Sequence, residues 1–531
     1  MDMLWNGWGD PARATPLPDT VTGLLRDLLG VKPREAASVR LTEIDVPPSP
    51  LADAAHRALL AAVGDREDRV RTDAETRIRH TRGKSTPDLL RMRDGDVTDT
   101  PAAVVLPESH DEVVAVLRAC AEHRLPLVPF GGGTSVVGGL APGRPAAFVA
   151  LDLRHMNRLL DLDPVSRTAT LQPGLRAPEA EALLAGHGYT LGHFPQSYEW
   201  ATLGGFAATR SSGQASAGYG RFDEMVLALT LATPEGTLDT GRAPRSAAGP
   251  DLRQLVLGSE GAFGVITSVT VRIRPVPRVR RYEGWRFASF ADGTAALRRL
   301  AQDGPRPTVL RLSDETETLI GLAQPDAIGT ALEQSAGCLA VVGFEGTEED
   351  TAHRREGAAA VLRASGGTFA GEEPGERWAH GRYSAPYLRD SLLDAGALAE
   401  TLETATYWSR VPALYTAVRD ALTATLTEAG TPPLVMCHIS HVYENGASLY
   451  FTVVSAQGDD AVAHWTRAKH AANEAILAAG GTITHHHGVG TDHRDWYVRE
   501  AGPLGVEALR AVKRRLDPDG LLNPGVLLPS D

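Results

Sequence analysis

The rhythm of apolar and polar positions changes twice along this chain of 531 residues. Up to about residue 100 it is irregular, broken by Pro47-Pro48 and by charge runs. It predicts helices with connectors, a lead-in rather than a cofactor site. From Pro101 short apolar runs alternate with helical stretches. Residues 102–106 predict a strand. Ser109 then caps a helix to about His123, with Glu112 at its third position completing a capping box. Residues 125–130, 147–153, 168–171, 225–233 and 265–273 predict further strands, and 180–188 a short helix closed by glycine. The whole forms a compact α+β unit over about 101–277. Beyond 278 the runs 285–290, 308–312, 338–344, 435–442 and 448–454 predict strands. Helical stretches around 293–302, 351–365, 395–405 and 411–429 separate them. That order predicts an antiparallel sheet covered by helices, a second domain reaching about residue 480. Residues 460–531 add a helix, a histidine run and a Pro/Gly-rich tail.

Composition narrows the class. With 43% hydrophobic residues the chain buries a sizeable core. It contains no stretch of about 18 consecutive apolar residues, so no membrane span is predicted. The opening Met1-Asp2-Met3-Leu4-Trp5 lacks a signal peptide's basic region and apolar core. Cys120, Cys338 and Cys437 lie far apart, which suits reduced thiols and a cytoplasmic location better than a disulfide framework. A net charge of -13 argues against nucleic acid as a partner, while leaving room for a local basic pocket. Four lysines against many arginines, with abundant Ala and Gly, is the bias of a GC-rich bacterial coding sequence.

Three loops are built for close approach to a polar ligand. Pro129-Phe130-Gly131-Gly132-Gly133-Thr134-Ser135 ends a strand, and its glycines let backbone N–H groups ring a phosphate. No Gly-Lys-Ser/Thr follows, so it is no P-loop, and the G-x-G-x-x-G spacing is absent. Gln196-Ser197-Tyr198-Glu199-Trp200-Ala201-Thr202 leads into Thr209-Arg210-Ser211-Ser212, rich in hydroxyls and small residues. Glu260-Gly261-Ala262-Phe263-Gly264-Val265-Ile266 would let backbone lie against a flat ring where a strand begins. In this order the loops resemble the FAD domain of the vanillyl-alcohol oxidase superfamily, of PCMH type. The resemblance implies two FAD-binding subdomains over 101–277, with FAD contacts from all four segments. It further implies a substrate, or cap, domain over 278–480, and a C-terminal segment, 481–531, that returns to the flavin. Residues 1–100 remain the lead-in. The first loop has no histidine, so the FAD is expected to be non-covalent. Leu522-Asn523-Pro524-Gly525 looks like the superfamily's closing segment.

The most telling run is His485-His486-His487-Gly488-Val489-Gly490, a poor core segment but a good acid/base edge beside a cofactor. This run, Trp5-Asn6-Gly7-Trp8-Gly9, Leu310-Arg311-Leu312, Tyr387-Leu388-Arg389-Asp390 and Leu449-Tyr450-Phe451 together resemble the alkyldihydroxyacetonephosphate synthase family nearly end to end. Members exchange the acyl chain of acyl-dihydroxyacetone phosphate for a fatty alcohol, with flavin N5 as nucleophile and no net redox. The resemblance implies a lipid-like phosphate substrate and a fatty alcohol as partners, a homodimer, and peripheral membrane contact. By position it assigns catalysis to Tyr450, His485, His486 and His487, and substrate binding to Arg389. Arg311 reads as structural, with phosphate contact open to it. Tyr450 shares its strand face with Ser448 and Thr452, while Leu449, Phe451 and Val453 take the other. A phenol there can take a proton, assisted by imidazoles, and Arg389 offers a permanent cation to phosphate or carboxylate.

The rival is a flavin-dependent dehydrogenase of 2-hydroxyacids or other alcohols. Those enzymes hold a divalent metal with two histidines and a glutamate. Here His441-Val442-Tyr443-Glu444-Asn445-Gly446 begins similarly, but Tyr450 replaces the second histidine and His486 the glutamate. A hard anionic ligand is lost. Adjacent His485 and His486 would point apart on a strand, so no metal is expected. Asp492 places a carboxylate just beyond the glycine turn, near the expected phosphate site.

Overall fold

The computed structural model describes residues 2–14, 16–34, 37–142, 147–321 and 337–529. Its first sheet joins β1 (Val70–Arg71), β2 (Ala103–Val105), β3 (Leu127–Phe130) and β4 (Val149–Asp152) in the order β1-β2-β4-β3, with β2, β4 and β3 parallel. The helix His110–Glu122 makes the crossover between β2 and β3. Ser109 caps it, accepting from the Glu112 N–H at 3.2 Å. The expected capping box is only half formed. The Glu112 carboxylate accepts from the Glu108 N–H at 2.7 Å and from Arg66 at 2.6 Å, because Arg66 draws it away from the Ser109 N–H.

The second sheet contains β5 (Leu159–Asp163), β6 (Thr168–Leu171), β8 (Val226–Thr233), β9 (Gly236–Thr240) and β10 (Val265–Arg272), all antiparallel in the order β5-β6-β10-β8-β9. A small ribbon pairs β7 (Tyr189–Thr190) with β11 (Arg274–Pro275). The two larger sheets keep separate apolar cores, with Val265 and Ala232 of the second packed into the core of the first.

The third sheet has seven antiparallel strands. They are β12 (Val279–Phe287), β13 (Val309–Ser313), β14 (Cys338–Gly346), β15 (Thr368–Phe369), β16 (Ala397–Tyr407), β17 (Leu434–Val442) and β18 (Gly446–Ala456), in the order β15-β12-β14-β13-β17-β18-β16. Leu310, Leu312, Cys437, Ile439, Leu449, Phe451 and Val453 point to one face. There they bury against Leu297, Leu414, Leu422 and Trp465 of the covering helices. The alternate residues face a cavity. One element departs from the pattern reading: 395–405 is not helical but is strand β16. Its Ala, Leu and Glu residues favour helix, yet Gly396 (φ +88°) stops the preceding helix, and interspersed threonines suit a pleat. Pairing with β18 along eleven residues then outweighs local propensity.

The chain returns to its first half at the end. Leu127 N–H donates to Leu521 O at 2.9 Å and Asn523 N–H to Leu127 O at 2.8 Å. Asn523 Nδ2 donates to the carbonyls of Glu260 (2.7 Å) and Gly139 (3.0 Å). The N-terminal hundred residues are more than a lead-in. Trp8 and one face of the helix Asp19–Leu29 (Val21, Leu24, Leu25, Leu28) form part of the cavity wall.

Candidate active site

A cavity of about 520 Å³ lies between the glycine loops and the third sheet. Pro129, Phe130, Gly131, Gly132, Gly133, Thr134 and Ser135 all line it. No hydrogen bond within the described residues takes up the backbone N–H groups of Gly131 to Ser135. Five successive unpaired donors on a cavity wall call for an acceptor-rich ligand. The glycines serve a second need. A Cβ on Gly132 would lie 2.0 Å from Trp200 O, and one on Gly131 2.4 Å from Thr202 Oγ1, so only glycine lets the two loops close on each other.

In the second loop Gln196, Ser197, Ala201 and Thr202 line the cavity. Tyr198 instead stacks on Tyr383 with 5.2 Å between ring centroids, Glu199 pairs outward with Arg13, and Trp200 lies beneath the Arg176 guanidinium at 4.7 Å. Thr209, Ser211 and Ser212 line the cavity, whereas Arg210 turns away to Asp223 at 3.1 Å and to the carbonyls of Gln254 and Leu257. Glu260, Gly261, Gly264 and Ile266 face it. Strand alternation sends Val265 into the core, and Ala262 and Phe263 pack against the C-terminal helix and tail. Buried polar atoms without protein partners point to the same conclusion as the loop. Gln196 Nε2, Ser212 Oγ and Gln214 Oε1 are all on lining residues. A molecule carrying a pyrophosphate and a heteroaromatic ring fits this donor set.

The third sheet supplies the opposite wall: Arg311 from β13, Ala399 and Thr401 from β16, Met436, His438 and Ser440 from β17, Tyr450, Thr452 and Val454 from β18. Tyr450 lies in register between His438 and Glu403. Its ring stacks on His438 (4.9 Å) and His486 (6.0 Å) and meets His487 edge-on (5.6 Å). Burial lifts its phenol to about 12, with Thr401 opposing, so it is a neutral O–H at rest.

The histidine run is not a strand, and its adjacent rings converge instead of pointing apart. The cause is Glu403, a fully enclosed carboxylate that the sequence reading did not single out. It accepts from the N–H groups of His485 (2.6 Å), His486 (3.1 Å) and His487 (2.9 Å) and from Thr484 Oγ1 (2.6 Å). Three successive N–H groups aimed at one carboxylate curl the backbone, and left-handed Gly488 and Gly490 finish the turn. Burial works against this carboxylate, but the histidine run that surrounds it, His486 first, holds it well below the usual range. Burial in turn holds His487 down at about 3 and pushes His441 and His485 well below 6.5, so these rings are neutral. His486 and His487 line the cavity; His485 sits behind them. Glu260 clasps the far end, accepting from the N–H groups of Val489 (2.8 Å) and Gly490 (3.0 Å). Asp492 is neutralised by Lys469 at 2.7 Å.

Arg389 sits on the helix Ala385–Asp394, started by Pro386, and lines the cavity. Its Nη1 donates to Lys84 O at 2.6 Å, while Nε and Nη2 are buried without a hydrogen-bond partner, Nη2 lying 3.6 Å from Asp390 Oδ1. Arg311 is differently placed. It pairs with buried Glu317 and lies against His438, whose Nδ1 is 2.9 Å from the same carboxylate. Burial opposes the charge on Glu317, and His438 and Arg311 hold it down at about 2. Ring nitrogens of His441, His485 and His486 lie within 4.8 Å of one another. Two of the three rings are bonded to each other, His485 Nδ1 to His486 Nδ1 at 3.0 Å. From this polar centre the cavity runs into an apolar branch lined by Leu24, Leu25, Leu28, Leu392, Leu434 and Val454.

Glu403 left a faint signal: a glutamate inside an alternating strand must be either solvated or partnered. The Asp19–Leu29 helix left none, since nothing in its sequence says what its apolar face covers.

This fold and site define an FAD-dependent flavoprotein. Residues 101–241 match the family model described as FAD binding domain, and 276–527 match that of the FAD linked oxidases, C-terminal domain. The chain is 34% identical to alkyldihydroxyacetonephosphate synthase of Trypanosoma brucei brucei, covering 100% of this chain and 93% of that protein. It is 32% identical to the Dictyostelium discoideum enzyme of the same name, covering 99% and 93%. A solved structure of alkyldihydroxyacetonephosphate synthase superposes with a TM-score of 0.83 at 30% identity over 98% of both chains. The chain belongs to the alkyldihydroxyacetonephosphate synthase family, and its cofactor is FAD.

Proposed function

We propose that the protein exchanges the acyl group of acyl-dihydroxyacetone phosphate for a fatty alcohol, forming an ether bond without net redox. The observation that carries this is the union, in one cavity, of an apolar branch, a guanidinium with two buried nitrogens that make no hydrogen bond, and imidazoles around a phenol. FAD would be held non-covalently by Gly131 to Ser135, Gln196, Thr202, Ser212 and Glu260 to Gly264; when bound, it supplies a nucleophilic ring nitrogen. The chain's own residues do the rest. Arg389 presents Nε and Nη2 to the phosphate or the departing carboxylate. Arg311, already neutralised by Glu317, sets the ring of His438 rather than adding net charge. Tyr450 holds or moves the proton at substrate C1, with His486 and His487 beside it. Nothing in these roles needs a metal.

The apolar branch takes the acyl and alkyl chains. No helix among the described residues is long and apolar enough to cross a membrane. Leu28, 70% exposed on the helix that walls the branch, makes that helix the natural point of peripheral contact with a lipid surface. We expect a homodimer in the cytoplasm. The test is incubation of FAD-loaded protein with acyl-dihydroxyacetone phosphate and labelled fatty alcohol, with no electron acceptor. Labelled ether product is expected, and Tyr450→Phe should abolish it while FAD stays bound. No product, together with flavin bleaching by a 2-hydroxyacid and reoxidation by a dye, would overturn the proposal in favour of a dehydrogenase.

A further inference from the structure

The exchange needs proton traffic that the cavity's own mouth serves poorly. Net, the acyl-oxygen bond to C1 breaks, an alkyl-oxygen bond to C1 forms, and the alcohol's proton ends on the carboxylate. No electrons are gained or lost. The carboxylate departs as an anion before the alcohol's proton is free in any stepwise path, and it passes a leucine-lined branch far more readily as the neutral acid, so a proton supplied then and recovered later serves the exchange. The branch through which chains enter is walled by leucines and conducts protons badly.

Elsewhere in the wall a polar chain of atoms leads out of the cavity. His486 lines the cavity. Its Nδ1 is 3.0 Å from His485 Nδ1, and His485 Nε2 is 2.5 Å from the Tyr443 hydroxyl. His485 does not line the cavity and is buried, so its ring serves only as a bridge. Tyr443 borders a separate outer hollow, shared with Asn445, Thr406, Arg499 and Glu500. The Arg221 guanidinium lies close to the same hydroxyl. The His485 imidazole is thus bonded through both of its ring nitrogens, an arrangement that packing alone does not require.

We propose that Tyr443, His485 and His486 form a proton wire that supplies one proton to the departing carboxylate and recovers one from the incoming alcohol. In the starting tautomers Tyr443 O–H donates to His485 Nε2, His485 Nδ1–H donates to His486 Nδ1, and His486 Nε2–H faces the cavity. As the carboxylate leaves it takes the His486 Nε2 proton. His486 Nδ1 takes that of His485, His485 Nε2 takes that of Tyr443, and Tyr443 regains a proton from water in the outer hollow, so that no phenolate is left. When the alcohol bonds to C1, its proton goes to His486 Nε2 and the three transfers run backward, with Tyr443 returning one proton to the outer hollow and the wire restored. Tyr443 thus acts through His485 and His486 as a positioning residue, without touching substrate.

This inference rests on the exchange reading above, and the experiment separates the two. Tyr443→Phe keeps the ring and removes the hydroxyl. In FAD-loaded protein it should lower kcat by about a hundredfold, with KM for the alcohol and FAD content unchanged. The rate plotted against the deuterium fraction of the solvent should be bowed for the native protein, where several protons move together, and straight for the variant. If Tyr443→Phe fails to retain FAD, 3-fluorotyrosine at position 443 preserves size and hydrogen bonding, and its lowered phenol pKa should shift the rate. Independently of turnover, selectively 15N-histidine-labelled protein should show scalar coupling between Nδ1 of His485 and Nδ1 of His486. Native-level kcat with an unaltered isotope profile in Tyr443→Phe, or absence of the coupling, would overturn the wire. Absence of exchange in the native protein would overturn the functional reading, with the coupling still deciding whether the wire exists.

Discussion

Glu403→Gln tests the device that shapes the site. In the native protein one oxygen accepts from Thr484 Oγ1 and from the N–H groups of His486 and His487, and the other from the His485 N–H. Glutamine keeps an oxygen for the first three but presents an NH2 group to the His485 N–H, donor against donor. One buried N–H then lacks an acceptor and three bonds lose their charge assistance, a cost of about 2–4 kcal/mol. Spread over a chain of this length, that lowers Tm by roughly 3 °C. The larger effect falls on the site, because the curl that brings His485 and His486 together depends on all three N–H groups. Scanning calorimetry of the FAD-loaded protein and the ether-forming exchange assay read the two effects. We expect the Tm shift together with at least roughly a tenfold fall in kcat, the equivalent of 1.4 kcal/mol, and little change in KM for the acyl substrate. A variant with native Tm and native kcat would refute the view that Glu403 organises the histidine run.

Burial lifts Glu260 from 4.5 to about 7, with the Val489 and Gly490 N–H groups opposing. A carboxyl raised on folding stabilises most below pH 4.5 and loses that contribution as pH rises through about 7, roughly 3 kcal/mol in all. Tm should therefore fall from pH 5 to 8 more steeply in the native protein than in Glu260→Gln, and equal slopes would count against the clasp. Gly132→Ala, whose Cβ would meet Trp200 O at 2.0 Å, should force the two loops apart and weaken FAD binding by roughly tenfold or more. Flavin absorbance after gel filtration measures this, and full retention would contradict the packing argument. Prolonged chelation of the purified protein should leave exchange at its native rate, since the site's ligands are imidazoles bonded to one another; loss of activity restored by a divalent ion would show otherwise.

The periodicity of the chain carried the strands of the third sheet well, because each has one face against a core and one against the cavity. Tyr450 alternating with Phe451 and Leu449 is the plainest case. The same local signals misled at β16, where Ala, Leu and Glu favour helix and only the long pairing with β18 decides otherwise. They misled again at the capping box, which Arg66, 46 residues away along the chain, takes apart. The glycine loops were visible because close backbone approach leaves no choice of residue. Their outward-facing members, Tyr198, Glu199, Trp200 and Arg210, could not be told from the lining ones by spacing alone.

Residue types and their local rhythm thus determined which chemistry this protein carries: glycine loops, imidazoles, a phenol and a guanidinium are written in the chain. Which of them face one another was decided by tertiary structure. A buried carboxylate on β16 bends a segment some eighty residues further on. An N-terminal helix closes an apolar branch against strands four hundred residues away. Such pairings depend on where burial leaves a charge or an apolar face without water, and that is a property of the folded whole.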